Sequence, residues 1–163
     1  MGSSTWSVPG LLVVLGFRIA VVGAEPGNDR RGDAVLEAAL RGVATQALGE
    51  EARTAGAVVC LQVDPGGAPQ SVSKEFLRRF RGLPFVRRGA ECEARSGGAV
   101  ERATGAPAVI VTAGPIEWVA ADEAHVRVAS FRSGRYSSEG TYRVVREPSG
   151  WFCLGPILKM SPA

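Results

Sequence analysis

Between residues 107 and 158 the chain is a near-continuous succession of β-prone runs, and this half leaves few ways to build a core. Residues 107–112, 116–120, 124–131, 141–147 and 151–158 are rich in β-branched and aromatic side chains and are separated by short polar or glycine-bearing breaks. The last two runs flank Pro148-Ser149-Gly150, which predicts an antiparallel hairpin with Tyr142, Val144, Trp151 and Cys153 available for cross-strand packing. Pro156 has no N–H to give to a central ladder, so the final strand should end or bend at a sheet edge. Val126 and Val128 alternate with His125 and Arg127, the two-residue period of a sheet with one wet side, and Ala121-Asp122-Glu123 reads as the turn before them.

The first half carries the helices. From Asp33, a candidate N-cap, Leu36, Leu40, Val43, Ala44, Ala47 and Leu48 recur at spacings of three and four, with Glu37, Arg41 and Glu50 on the other side. This predicts a long helix reaching to about residue 55, with Gly42 and Gly49 as places for a bend or an early stop. Residues 58–63 form a β-branched run closed by Asp64-Pro65-Gly66-Gly67. Ser73 then caps a short helix that buries Phe76, Leu77 and Phe80 and ends by Gly82 and Pro84. In the strand that follows, Val86, Ala90, Cys92 and Ala94 share one face with Arg88 as the discordant member, and residues 96–106 read as a loop.

A long helix, a short helix and then four or more consecutive antiparallel strands make an α+β domain with its helices on one face of a sheet. That order, the helix over residues 33–48 and the closing pair Tyr142-Arg143-Val144-Val145-Arg146-Glu147 and Gly150-Trp151-Phe152 resemble the NTF2-like and SnoaL-like superfamily. The resemblance spans residues 33–158. It implies N-terminal helices packed on a curved antiparallel sheet, an NTF2-like cone or the related cystatin-like roll. It does not choose a function, because that superfamily holds hydrolases, isomerases, ligand binders and noncatalytic accessory domains.

The domain expected from these patterns covers residues 33–160, behind a linker at 25–32 and an apolar segment at 1–24. In that segment Leu11 to Leu15, Phe17, Ile19, Val21 and Val22 lead to Val22-Gly23-Ala24, the outline of a signal peptide with a small-residue cleavage site. No Lys or Arg precedes residue 11 and Arg18 interrupts the run, so a start set too far upstream, or a first element of the domain, stand as alternatives. The uninterrupted stretch falls short of the roughly 20 residues that span a bilayer, so stable membrane insertion is not expected. A signal peptide would place the protein outside the cytoplasm, secreted or periplasmic; otherwise it is cytoplasmic.

Chemistry is sparse. The net charge of +3 is spread among arginines interleaved with glutamates, and the densest basic stretch, Arg78, Arg79, Arg81, Arg87 and Arg88, falls mostly on solvated faces, so nucleic acid is not the expected partner. His125 is the one histidine; with Asp122 close in the chain it is the candidate general base of a small hydrolase or isomerase. Trp118, Tyr142, Glu117 and Trp151 are the candidates to line a ligand pocket, where aromatic bodies give area and a phenol orients the guest. Cys60, Cys92 and Cys153 have no close spacing and one histidine does not complete a zinc set, so no metal and no cofactor is expected. If the chain is exported, the preferred disulfide is Cys92 with Cys153, leaving Cys60 free. The reading these residues favour is a noncatalytic domain that binds a small apolar ligand or a protein, a second copy of the chain included, with the pocket enzyme as the alternative.

Overall fold

The computed structural model describes residues 30–157; the apolar segment at 1–24 lies outside them. The order is α1 (Arg30–Ala47), α2 (Glu50–Thr54), β1 (Val58–Val63), β2 (Gln70–Ser71), α3 (Lys74–Leu77), β3 (Val86–Arg88), β4 (Cys92–Arg95), β5 (Gly98–Glu101), β6 (Ala108–Ala120), β7 (Glu123–Ser133), β8 (Tyr136–Glu147) and β9 (Gly150–Pro156). Helix α1 begins ahead of Asp33, which falls in its first turn, and it stops at Ala47 before Gly49. Ser73 does cap α3, its hydroxyl oxygen accepting from the Phe76 amide at 3.0 Å.

The sheet runs β2-β1-β6-β7-β8-β9, with β3 also paired to β1. It is an open, mixed sheet: β1 is parallel to both β3 and β6, while β6 to β9 form an antiparallel meander. The expected curved antiparallel sheet of an NTF2-like cone or cystatin-like roll is therefore incorrect, although the α+β composition holds. Strand direction is where the expectation failed. In β1, Val58, Val59, Cys60 and Leu61 are buried in succession, the pattern of a strand covered on both faces, as parallel strands usually are.

One face of the sheet carries the main core. Val59, Leu61, Val63, Val109, Val111, Ala113, Val126, Val128 and Val144 pack there with Val35, Leu36, Ala39, Leu40, Val43 and Ala44 of α1. The broad apolar stripe of α1 is thus matched to four strands, and at Gly42 the helix comes so close to β9 that an added Cβ would lie 2.9 Å from Cys153 Cβ. The helix-weakening glycine at this point is explained by that approach. The other face holds a smaller cluster of Val58, Cys60, Cys92, Ala99 and Ala108 under the β4–β5 hairpin.

Four local expectations are corrected here. The segment around Arg88 and Cys92 is two strands separated by a turn at Gly89–Glu91, and residues 98–101, read as loop, pair as β5. The two runs before Ala121 are one strand, β6, with a register shift between Ala113 and Ile116 that accommodates Gly114-Pro115. The disulfide joins Cys60 to Cys92, with Cα atoms 6.2 Å apart, and Cys153 is the free thiol. Cys60 and Cys92 belong to the small outer cluster, whereas Cys153 packs on the helix side, so the sheet itself separates Cys92 from Cys153.

Candidate functional site

Register places the sequence-selected residues on two opposite faces. Glu117 pairs with His125, and His125 with Arg143, on the face away from α1. Trp118 pairs with Ala124 and Arg146 with Trp151, and both tryptophans lie towards the helix side. Alternation along β6 alone separates Glu117 from Trp118.

On the outer face, Arg143 grips Glu123 with two parallel bonds, Nε to Oε1 at 2.9 Å and an NH2 to Oε2 at 2.8 Å. His125 Nε2 lies 3.5 Å from the same Glu123 Oε1, so the carboxylate beside the histidine is that of Glu123. Asp122 sits in the β6–β7 turn, where its carbonyl accepts from the Arg146 amide. The bonds from Arg143 hold the Glu123 carboxyl below its usual range, with His125 adding a smaller effect. Arg127 and Glu139 pair farther along the same two strands. This is a ladder of charges across an open sheet surface. Val119, Phe152 and Leu154, exposed by 52%, 41% and 59%, stand at the same end of the sheet. The row Glu123, Val145, Phe152 crosses three strands on this face.

On the helix side the aromatic residues hold α1. The Arg31 guanidinium lies 3.9 Å from the Trp118 ring centroid and 5.8 Å from that of Trp151, and the two indoles meet edge to face at 5.8 Å. Arg31 also donates to the Ala121 carbonyl at 2.6 Å, tying the start of the helix to the β6–β7 turn. Sequence reasoning missed this residue because it placed Arg31 in a linker. Tyr142 is half-buried against the core, and burial, with the Cys153 thiol nearby, raises its phenol above the usual value. Replacing Trp151 with Ala removes packing and a cation–π contact together, and is expected to cost about 2–3 kcal/mol. Urea unfolding measures it; a change below about 1 kcal/mol would show that the cluster does not anchor the helix.

Two concavities are evident among the described residues. One, of about 270 Å³, lies on the outer face between Ile110, Phe131, Ser138 and Glu139. The other, of about 680 Å³, lies between α1, β2, α3 and β3. His125, Glu117, Trp118, Tyr142 and Trp151 line neither. No three of His, Cys, Asp and Glu converge as a metal-ligand group among the described residues, and no helix there is long and apolar enough to cross a membrane.

Glu101, another group without a sequence signal, is the one buried charged residue among those described. Thr104 donates to one of its oxygens and Arg87 Nε to the other at 2.9 Å, and these bonds, the threonine's first, pull its carboxyl below the ordinary 4.5 despite the opposing effect of burial. A depressed folded-state value means stability that is complete above the unfolded value and is lost as pH falls through the folded one. Glu101→Gln is therefore expected to cost about 1–3 kcal/mol at neutral pH, with the gap to wild type closing on acidification below about pH 4. Chemical unfolding across pH 3–7 checks this; a gap independent of pH would refute it.

No family model, curated protein or solved structure matches the chain, so the NTF2-like resemblance lacks support from relatives as well as from the sheet topology.

Proposed function

We propose that this protein is a noncatalytic interaction domain that works outside the cytoplasm and engages a protein partner through the uncovered face of β7, β8 and β9. The observation that carries the reading is the exposure of Phe152, which register places on the same face as the Arg143–Glu123–His125 ladder, with exposed Val119 and Leu154 at register shifts at the same end of the sheet. Apolar anchors rimmed by oriented charges are what a protein interface needs: area for affinity, charge for register. The same ladder argues against catalysis at His125, because Glu123 is already committed to Arg143 and the imidazole stands on a sheet surface. Export is supported by the apolar segment at 1–24 and by the Cys60–Cys92 disulfide, a bond that persists in oxidising compartments.

Photo-cross-linking tests the interface in cells that express the full chain. With p-benzoylphenylalanine in place of Phe152, irradiation should give a discrete heavier adduct, whether with another protein or with a second copy. The same group in place of exposed Ser96, at the tip of the β4–β5 hairpin, should give none. Equal yields at the two positions, or no adduct at either, would sink the proposal.

A further inference from the structure

The turn between β7 and β8 carries charge and aromatic surface that neither the fold nor the interface uses. The β6–β7 pairing ends at Ile110 and Phe131, whereas the β7–β8 pairing goes on to Ser133 and Tyr136, so the turn at Gly134-Arg135 projects past the last paired residue of β6. Tyr136 is 69% exposed, the most open of the large hydrophobic side chains among the described residues. Arg132 and Arg135 beside it are exposed too, and no carboxylate pairs with either among the described residues. The β4–β5 hairpin reaches the same end: Gly98, whose added Cβ would lie 2.6 Å from the Arg132 carbonyl oxygen, is the register partner of Arg95. Arg95 shares the single carboxylate of Glu93 with Arg102, so positive charge is in surplus here. The first acid along β8, Glu139, is held by Arg127.

A tight turn is served by small polar residues, and an open tyrosine between arginines has no packing role in one. An added Cβ at Gly134 would meet nothing within 4 Å, and neither concavity includes Arg132, Arg135 or Tyr136. A projecting tip of this kind suits a flat partner; a small guest needs enclosure. Tyrosine is amphipathic and settles at the headgroup level of a bilayer, and arginines beside it gain from the negative potential of anionic lipid. We propose that this hairpin tip docks the protein on an anionic lipid surface, with Tyr136 entering the headgroup layer and Arg132 and Arg135 facing the lipid phosphates. The contact is peripheral, and one aromatic ring with a few charges gives weak, salt-sensitive binding.

The test is co-sedimentation of the full chain with vesicles of phosphatidylcholine alone and of phosphatidylcholine with phosphatidylglycerol in equal parts. Binding should require phosphatidylglycerol and should weaken by about tenfold or more when added salt cuts the Debye length from about 10 Å to about 3 Å. Arg132→Ser with Arg135→Ser should lower the affinity by about tenfold or more, and Tyr136→Ser by about threefold or more. Arg78 and Arg81, exposed beyond α3 and without a carboxylate partner among the described residues, give the charge-matched control. Their joint replacement with Ser should change binding by less than about threefold, since charges away from the contact are screened. Acetylation of wild type by N-acetylimidazole locates the contact without any variant: exposed Tyr136 should lose reactivity when mixed vesicles are added. The proposal is overturned if the chain does not bind mixed vesicles, if it binds phosphatidylcholine alone as well, if Tyr136 keeps its reactivity, or if the control pair costs as much as the tip pair. Retention on immobilised polyglutamate without vesicle binding would assign the tip to an acidic polypeptide and overturn it equally. Failure here leaves the cross-linking result at Phe152 untouched, since register puts Phe152 at the other end of the β7–β8 pair.

Discussion

Loss of the Cys60–Cys92 bond, by replacement of both cysteines with serine or by reduction, is expected to destabilise the domain by about 3–4 kcal/mol, the chain-entropy value for a loop of this length. The bond closes 32 residues of chain and fastens the start of β4 to β1, both sulfurs lying within the small outer core. The hairpin over that core has no other covalent tie, so its loss exposes Val58, Ala99 and Ala108 as well as freeing the unfolded chain. Thiol titration of the unfolded protein should find one reactive cysteine before reduction, Cys153, and three after. Denaturant unfolding with and without reductant then gives the energy. Three reactive thiols in protein recovered from cells, with no effect of reductant on stability, would remove both the staple and the main support for export.

Gly98→Ala is expected to cost about 3 kcal/mol, from two sources that add. Gly98 has φ of +134°, in the region where a Cβ is strained, and the added atom would lie 2.6 Å from the Arg132 carbonyl oxygen. That oxygen belongs to backbone at the end of β7 and has no free rotor to turn aside. Gly97→Ala is the control, because nothing lies within 4 Å of its added Cβ. Thermal unfolding of the two variants should separate them clearly. Equal stability would mean that β5 does not pack against β7 as described.

These positions show how the chain's information is divided. Periodicity made the α1 stripe, the Ser73 cap and the β8–β9 hairpin legible, because each depends on residues close in sequence. The same local signals could not give the direction of β1 relative to β3 and β6, since burial on both faces is compatible with more than one pairing. Strand alternation placed His125 on the wet side of β7, yet its partnership with Glu123 and Arg143 depends on side-chain rotamers across two strands. The discordance of Arg88 was visible as a break in a pattern; the cleft beside it forms only when α1 packs near β2 and α3, which lie well after it in the chain.

What the sequence alone determined, then, is the α+β composition, most element positions and, within an unbroken element, which side chains share a face, for these follow from 3.6- and 2-residue periods and from turn chemistry. The single face read for Val86 and Cys92 failed because a turn at Gly89–Glu91 divides them between the two cores. Tertiary structure alone decided the rest. It set the parallel pairing of β1, and the choice of Cys60 for Cys92 across a sheet that hides Cys153 behind it. It also brought Arg31 onto Trp118 and Trp151 and left Arg88 open to a cleft. Each of these joins groups 30 or more residues apart or depends on which layer covers which face, and such contacts are fixed only when the layers pack, after local propensity has had its effect.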